Sequence, residues 1–132
     1  MPLILADTDV LIDYLAGVPL AVARFQQYAD RLQTTAISCF ELLSGARAGK
    51  RGDHLRRLLA ALPVLPLDRK AAEQAALVRQ HLESSGTPIG MADSLIAGIA
   101  LTQGVPLWTR NRRHFERVPH LHFPEFPGEK NP

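Results

Sequence analysis

The run Leu3-Ile4-Leu5-Ala6, followed at once by Asp7-Thr8-Asp9, limits what this chain can fold into more than any other stretch. A strand without polar alternation has to be covered on both faces, which is the condition of a parallel sheet flanked by helices. In such sheets ligands bind beyond the carboxyl ends of the strands, so side chains just past Ala6 face a cleft. Asp7 then has two readings. Either it or Thr8 caps the next helix by accepting an orphan N–H, or Asp7 carries chemistry.

The rest of the chain alternates short strands with helices, as a three-layer α/β/α sandwich with a parallel sheet of four to five strands requires. Val10, Leu11, Tyr14 and Leu15 predict a first helix, ended by Gly17 and Pro19, and a second helix fits Leu20 to Leu32. Thr34 to Ile37 reads as a strand, after which Ser38-Cys39-Phe40-Glu41 has the spacing of a capping box for a helix reaching Gly49. A basic helix over His54–Leu62 follows, then a brief strand at Val64-Leu65. Ala71, Ala75, Val78 and Leu82 mark the inner face of a long helix from Asp68 to Ser84. Met91 to Gln103 is apolar nearly all round and reads as a buried helix capped by Gly104. Val105–Trp108 predicts a strand, Asn111–Phe115 a helical turn, and Leu121–Phe123 a last strand. Residues 1–123 therefore form one domain, and 124–132 read as a Pro-rich, mobile tail.

Charge is more informative in its distribution than in its total of +2. Residues 47–57 carry a net +4 and residues 110–117 a net +3, which leaves −5 for the remainder. Acidic groups thus sit apart from two basic clusters, the pattern of a protein that handles polyanions with a metal, although paired solvated helix faces would look alike. There is one cysteine, Cys39, which excludes an internal disulfide or a thiolate metal cage and reads as a small core residue. With no apolar stretch near 18 residues and no basic start at the N-terminus, the chain predicts a cytoplasmic protein that meets no membrane.

Two further carboxylates stand in places like that of Asp7. Asp93 lies in the most apolar segment of the chain, where an unpaired charge costs several kcal/mol or so. It therefore sits in the first turn on the helix dipole or faces a cation. Glu41 follows a strand near the start of a helix, where the capping box alone would also explain it. Three carboxylates without a Cys or His pair at ligand spacing select Mg²⁺ or Mn²⁺ over zinc. Such an ion suits phosphodiester hydrolysis. A strand ends in Thr109, beyond which Asn111 could bond a carboxylate or a metal-bound water in the cleft, and Arg110, Arg112 and Arg113 could meet phosphates. His114, beside Phe115, reads as a packed or surface residue before it reads as an acid or base. Asp13 reads as an exposed helix residue.

Taken together, Ile4 to Ile12, Ser38 to Gly45, Ala92 to Ala97 and Thr109-Arg110-Asn111 with Phe115 resemble the PIN-domain ribonucleases, specifically the VapC toxins of toxin–antitoxin pairs. The resemblance spans residues 3–123. It implies Mg²⁺ or Mn²⁺ in an acidic pocket, cleavage of RNA, dimerisation and inhibition by a VapB-like antitoxin. Carried over position by position, it makes Asp7, Glu41 and Asp93 the catalytic acids. Asp7 and Asp93 would be direct metal ligands, and Glu41 a ligand directly or through water. Asp9, Thr109 and Asn111 become supports of the ligands, and Arg47, Arg110, Arg112 and Arg113 contacts for RNA. Asn111 and His114 stand where the family often has a fourth acid, so the pocket carries one charge fewer. Two rivals remain. A catalytically inactive RNA- or antitoxin-binding protein of the same fold would not need all three carboxylates. A haloacid-dehalogenase-like phosphatase would use Asp7 as nucleophile and Asp9 as acid, but the later Lys and acidic pair it requires fit poorly here.

Overall fold

Ile4, Leu5 and Ala6 are fully buried, yet they belong to two different cores. That division follows from the two-residue period of a strand, which sends Ile4 and Ala6 to one face of the sheet and Leu5 to the other. The computed structural model describes residues 3–129. In chain order its elements are β1 (Ile4–Ala6), α1 (Thr8–Leu15), α2 (Pro19–Tyr28), a 3₁₀ turn (Ala29–Arg31), β2 (Leu32–Thr35), α3 (Ala36–Gly45), α4 (Lys50–Ala61), β3 (Val64–Leu65), α5 (Arg69–Ser84), α6 (Met91–Gln103), β4 (Leu107–Trp108) and α7 (Arg112–Phe115).

The four strands are parallel in the order β3-β2-β1-β4. On one face Ile4, Ala6 and Trp108 pack with Val10, Leu11, Phe25, Leu42 and Leu58, contributed by α1 to α4. On the other, Leu5 and Leu107 pack with Val78, Leu82, Ile96, Ala97 and Ala100 of α5 and α6. This is the expected three-layer sandwich. The chain runs outward from β1 to β2 and β3, then crosses back to place β4 on the far side of β1. The reversal opens a crevice at the carboxyl ends of β1 and β4, the place where open α/β sheets bind ligands.

Helices α5 and α6 form as their sequences require. Asp68 caps α5 by accepting from Ala71 N at 2.9 Å, and Ala71, Ala75, Val78 and Leu82 are buried at helical spacing. Gly104 ends α6 in the left-handed conformation with φ of 64°. Inside α6, Gly98 lets the two backbones touch, since a Cβ there would lie 2.5 Å from Ala71 O and 2.7 Å from Ala75 Cβ.

Several boundaries differ from expectation. The second helix stops at Tyr28, and after the 3₁₀ turn the strand occupies Leu32–Thr35 instead of Thr34–Ile37. Thr35, not Ser38, caps α3: its Oγ1 accepts from Ser38 N at 3.0 Å, so the expected capping box of Ser38 with Glu41 does not form. Helix α3 ends at Gly45, before Gly49, and α4 begins at Lys50, a turn ahead of His54. Cys39 is only half-buried at the edge of the core. Leu121–Phe123 is no strand, although Leu107 N donates to His122 O at 2.9 Å. Of the Pro-rich segment, Phe126 packs on Tyr28 and Trp108, and Glu129 pairs with Arg24.

Candidate active site

Asp7 leaves β1 with extended backbone and becomes the N-cap of α1, so the two readings of it coincide. Its Oδ1 accepts from Thr8 N at 2.8 Å, and its Oδ2 accepts from Thr109 Oγ1, also at 2.8 Å. Thr109 follows β4 directly, and Asp7 N donates to Trp108 O at 2.9 Å, so the crevice between β1 and β4 is closed at its base by this pair. Burial pushes the Asp7 carboxyl up to about 6, assisted by the negative charges of Asp9 and Asp93 and opposed by the two hydrogen bonds.

Asp9 lies one residue into α1 and half-buried. Its Oδ2 accepts from Arg110 N at 3.0 Å and lies 3.3 Å from Thr109 Oγ1, while its Oδ1 is buried without a partner. Burial raises this carboxyl as well. Thr109 has one hydroxyl proton for two carboxylates, and the shorter contact assigns it to Asp7. The oxygen in turn accepts from Asn111 N at 3.0 Å. Asn111 thus supports the site through its backbone.

Asp93 stands in the first turn of α6, where the helix has no side-chain cap and an acid is favoured by the dipole. Its Oδ2 is 3.3 Å from His114 Nδ1. His114 is therefore part of the site's wall, which its neighbour Phe115 concealed in the sequence. Glu41 is exposed in the second turn of α3 and reaches the site through Thr8, whose Oγ1 donates to Glu41 Oε1 at 2.7 Å. Ser38 Oγ lies 2.8 Å from the same Thr8 oxygen. Thr8 and Ser38 were missed as site residues, although an Asp-Thr-Asp start and a Ser near Glu41 are both visible in the chain.

The carboxylates do not close into the expected three-ligand cage: among the described residues no three His, Cys, Asp or Glu side chains form a group placed to hold a metal. The donor set nevertheless fits a hard divalent ion, because Mg²⁺ keeps several waters and takes only one or two carboxylates. Asp7 is buried with two carboxylates acting on it, and Asp9 Oδ1 has no proton donor. Both are the signs of a site that accepts a cation.

The basic residues divide. Arg110, Arg112 and Arg113 line a groove of about 790 Å³ beside Thr109, together with His114, Arg24 and Glu129. Arg110 Nε donates to Asp13 Oδ2 at 2.7 Å, and the Asp13 side chain is only 18% exposed, so Asp13 is the partner of Arg110 and not the exposed helix residue expected from the sequence. Arg112 stacks on Phe123 at 4.4 Å. Arg47 lies elsewhere, in a groove with Ile12, Leu42, Arg51 and His54.

The PIN domain model matches residues 4–121. A curated relative, ribonuclease VapC10 of Mycobacterium tuberculosis, is 35% identical over 97% of this chain and 98% of its own length. The tRNA(fMet)-specific endonuclease VapC of Salmonella typhimurium is 31% identical over 86% of this chain and 89% of its own. Among solved structures, DNA-bound VapBC from Salmonella typhimurium superposes with a TM-score of 0.83 at 29% identity, covering 94% of this chain and 98% of that one. With an apolar strand delivering Asp7 to a β1–β4 crevice, Asp93 across it and a match along nearly the whole domain, the chain belongs to the PIN-domain family, within its VapC ribonucleases.

Proposed function

We propose that this chain is a metal-dependent endoribonuclease, the toxin of a toxin–antitoxin pair, which hydrolyses RNA phosphodiester bonds at the β1–β4 crevice. The observation that carries this reading is Asp7: a buried carboxylate at the sheet's switch point, raised to about 6 by burial and by two neighbouring carboxylates. Asp7 and Asp93 would hold Mg²⁺ or Mn²⁺, with Glu41 joining through water. When bound, the ion supplies Lewis-acid polarisation of a phosphoryl oxygen and a water of lowered pKa. Thr109 fixes Asp7 Oδ2 by its hydroxyl proton, and Thr8 fixes Glu41 in the same way. His114 Nδ1 orients Asp93 from the opposite wall. Arg112 and Arg113 meet the RNA backbone along the groove, a role for which Arg110 is less available because Asp13 holds it. The protein works in the cytoplasm as a homodimer and is silenced by a VapB-like antitoxin; the last of these is supported by the DNA-bound VapBC complex among its structural relatives.

Purified protein, free of antitoxin, is expected to cut RNA with Mg²⁺ or Mn²⁺ and to stop in excess EDTA. Asp7→Asn and Asp93→Asn should each reduce cleavage to background while the circular dichroism spectrum stays that of a folded protein. Cleavage that survives EDTA, or the loss of Asp7, would overturn the mechanism.

A further inference from the structure

The groove beside Thr109 is lined by four arginines and one carboxylate, Glu129, and that carboxylate comes from the C-terminal segment. Arg24 of α2 donates twice to one oxygen of it, Oε2, from Nε at 3.0 Å and from Nη2 at 2.5 Å. The guanidinium lies over two rings, with its Cζ 3.9 Å from the Phe126 ring centre and 5.5 Å from that of Trp108. A planar guanidinium fixed this way presents one edge of paired donors, and such an edge binds a phosphate as it binds a carboxylate. Trp108 immediately precedes Thr109, so this edge is built into the same wall as the partner of Asp7.

The groove's two arginine–carboxylate pairs differ in what secures them. Asp13, which holds Arg110, belongs to α1, and the backbone of Arg110 is tied a second time to Asp9. Among the described residues Glu129 is held by a single turn, in which Glu129 N donates to Phe126 O at 3.1 Å across Pro127 and Gly128. Pro at the second place and Gly at the third, here with φ of 81°, is the signature of a type II turn. Removing Glu129 from Arg24 therefore disturbs neither sheet nor helix. The Glu129 side chain keeps 28% of its surface open to solvent, against 15% for Arg24, so a phosphate approaching along the groove can compete for the guanidinium from the carboxylate's side.

We propose that Arg24 is a phosphodiester subsite of the groove, filled in the free protein by the Glu129 carboxylate, which an RNA phosphate displaces. The subsite rests on the ribonuclease reading given above. Glu129 then acts as a stand-in that keeps the arginine aligned and lowers the affinity for RNA until the strand is long enough to reach it.

A double-mutant cycle tests this. Wild type, Glu129→Gln, Arg24→Gln and the double variant are titrated against a short fluorescein-labelled single-stranded RNA of mixed sequence, in EDTA to prevent cleavage, at several salt concentrations. Arg24→Gln should bind more weakly and lose about 0.7 in the slope of log affinity against log salt, the value of one phosphate contact on a single strand. That deficit grows about 2.6-fold as salt falls from about 200 to 50 mM. Glu129→Gln should bind more tightly than wild type with nearly the same slope, because Arg24 meets the same phosphate in both complexes. Replacing Glu129 in the Arg24→Gln background should have no such effect. An equal gain in both backgrounds, or none in either, overturns the subsite. Arg112→Ala with Arg113→Ala separates failure of the subsite from failure of RNA binding as a whole. If that pair weakens RNA binding while the cycle shows no coupling, the RNA reading stands and the subsite falls. If no form binds RNA, both fall. Melting curves of all variants confirm folding, and Arg24→Lys, which keeps the charge but loses the fork, should recover the slope but only part of the affinity.

Discussion

Replacing Asp7 by Asn should stabilise the metal-free protein even though it destroys activity. The carboxyl is 5% exposed, and its pKa rises from 3.8 to about 6 on folding. A carboxyl raised in the folded state binds its proton more tightly there than in the unfolded chain, so stability is lost as pH climbs from about 4 to 6 and is then level. The full penalty of ionised Asp7 is about 3 kcal/mol above pH 7. It is about 1.6 kcal/mol at pH 5, so some 1.4 kcal/mol of wild-type stability disappears between pH 5 and 8 on this account. Asn keeps the bond from Thr8 N through its Oδ1. Its amide then donates to Thr109 Oγ1, whose proton turns to Asp9 Oδ2 at 3.3 Å. Allowing for this weaker arrangement, Asp7→Asn should be about 1–2 kcal/mol more stable than wild type at pH 8. Urea denaturation in EDTA at pH 5 and pH 8 measures both the gap and its growth. Millimolar Mg²⁺ should narrow the gap by stabilising wild type alone. If the variant is no more stable at pH 8, or the gap is the same at both pH values, the carboxylate is not strained by burial and has no unmet need for a cation.

Other outcomes follow from single contacts. Thr109→Val leaves Asp7 Oδ2 and Asn111 N without their partner, and should lower Mg²⁺ affinity about 10–100-fold in a calorimetric titration. Thr35→Ala removes the cap of α3 and should cost about 1 kcal/mol in urea denaturation, whereas an unchanged midpoint would return the cap to Ser38. Gly98→Ala forces α5 and α6 apart and should lose about 1–3 kcal/mol, read as a lower melting temperature.

What could be read from the chain depended on whether the signal was local. Ile4 to Ala6 announces a buried strand, and the spacing of Ala71, Ala75, Val78 and Leu82 announces a helix face, because each pattern is complete within its own element. Asp7 and Asp93 stood out as acids in apolar surroundings. The β2–α3 boundary was misplaced because Thr34-Thr35-Ala36-Ile37 has the β-branched look of a strand, while Thr35 in fact spends its hydroxyl on capping a helix. The contacts of Asp13 with Arg110, and of Arg24 with Glu129, join residues far apart in sequence, and no local pattern reports them. The tail held one clue that composition obscured. Phe-Pro-Gly-Glu is a turn sequence as much as a Pro-rich one.

Gly98 gives the core an authority over the active site that no polar contact has. Five residues separate it from Asp93 on the same helix, about 7.5 Å along the axis. Because α6 lies directly on the backbone of α5 at Gly98, the depth at which α6 is seated is set by a missing methyl group on the side of the sheet carrying the second core. That depth also sets how far Asp93 stands from Asp7. The active-site spacing is thus gauged from behind, by steric contact in a region without chemistry, and drift in the volume of Ala71 or Ala75 would retune the acid pair without touching either acid.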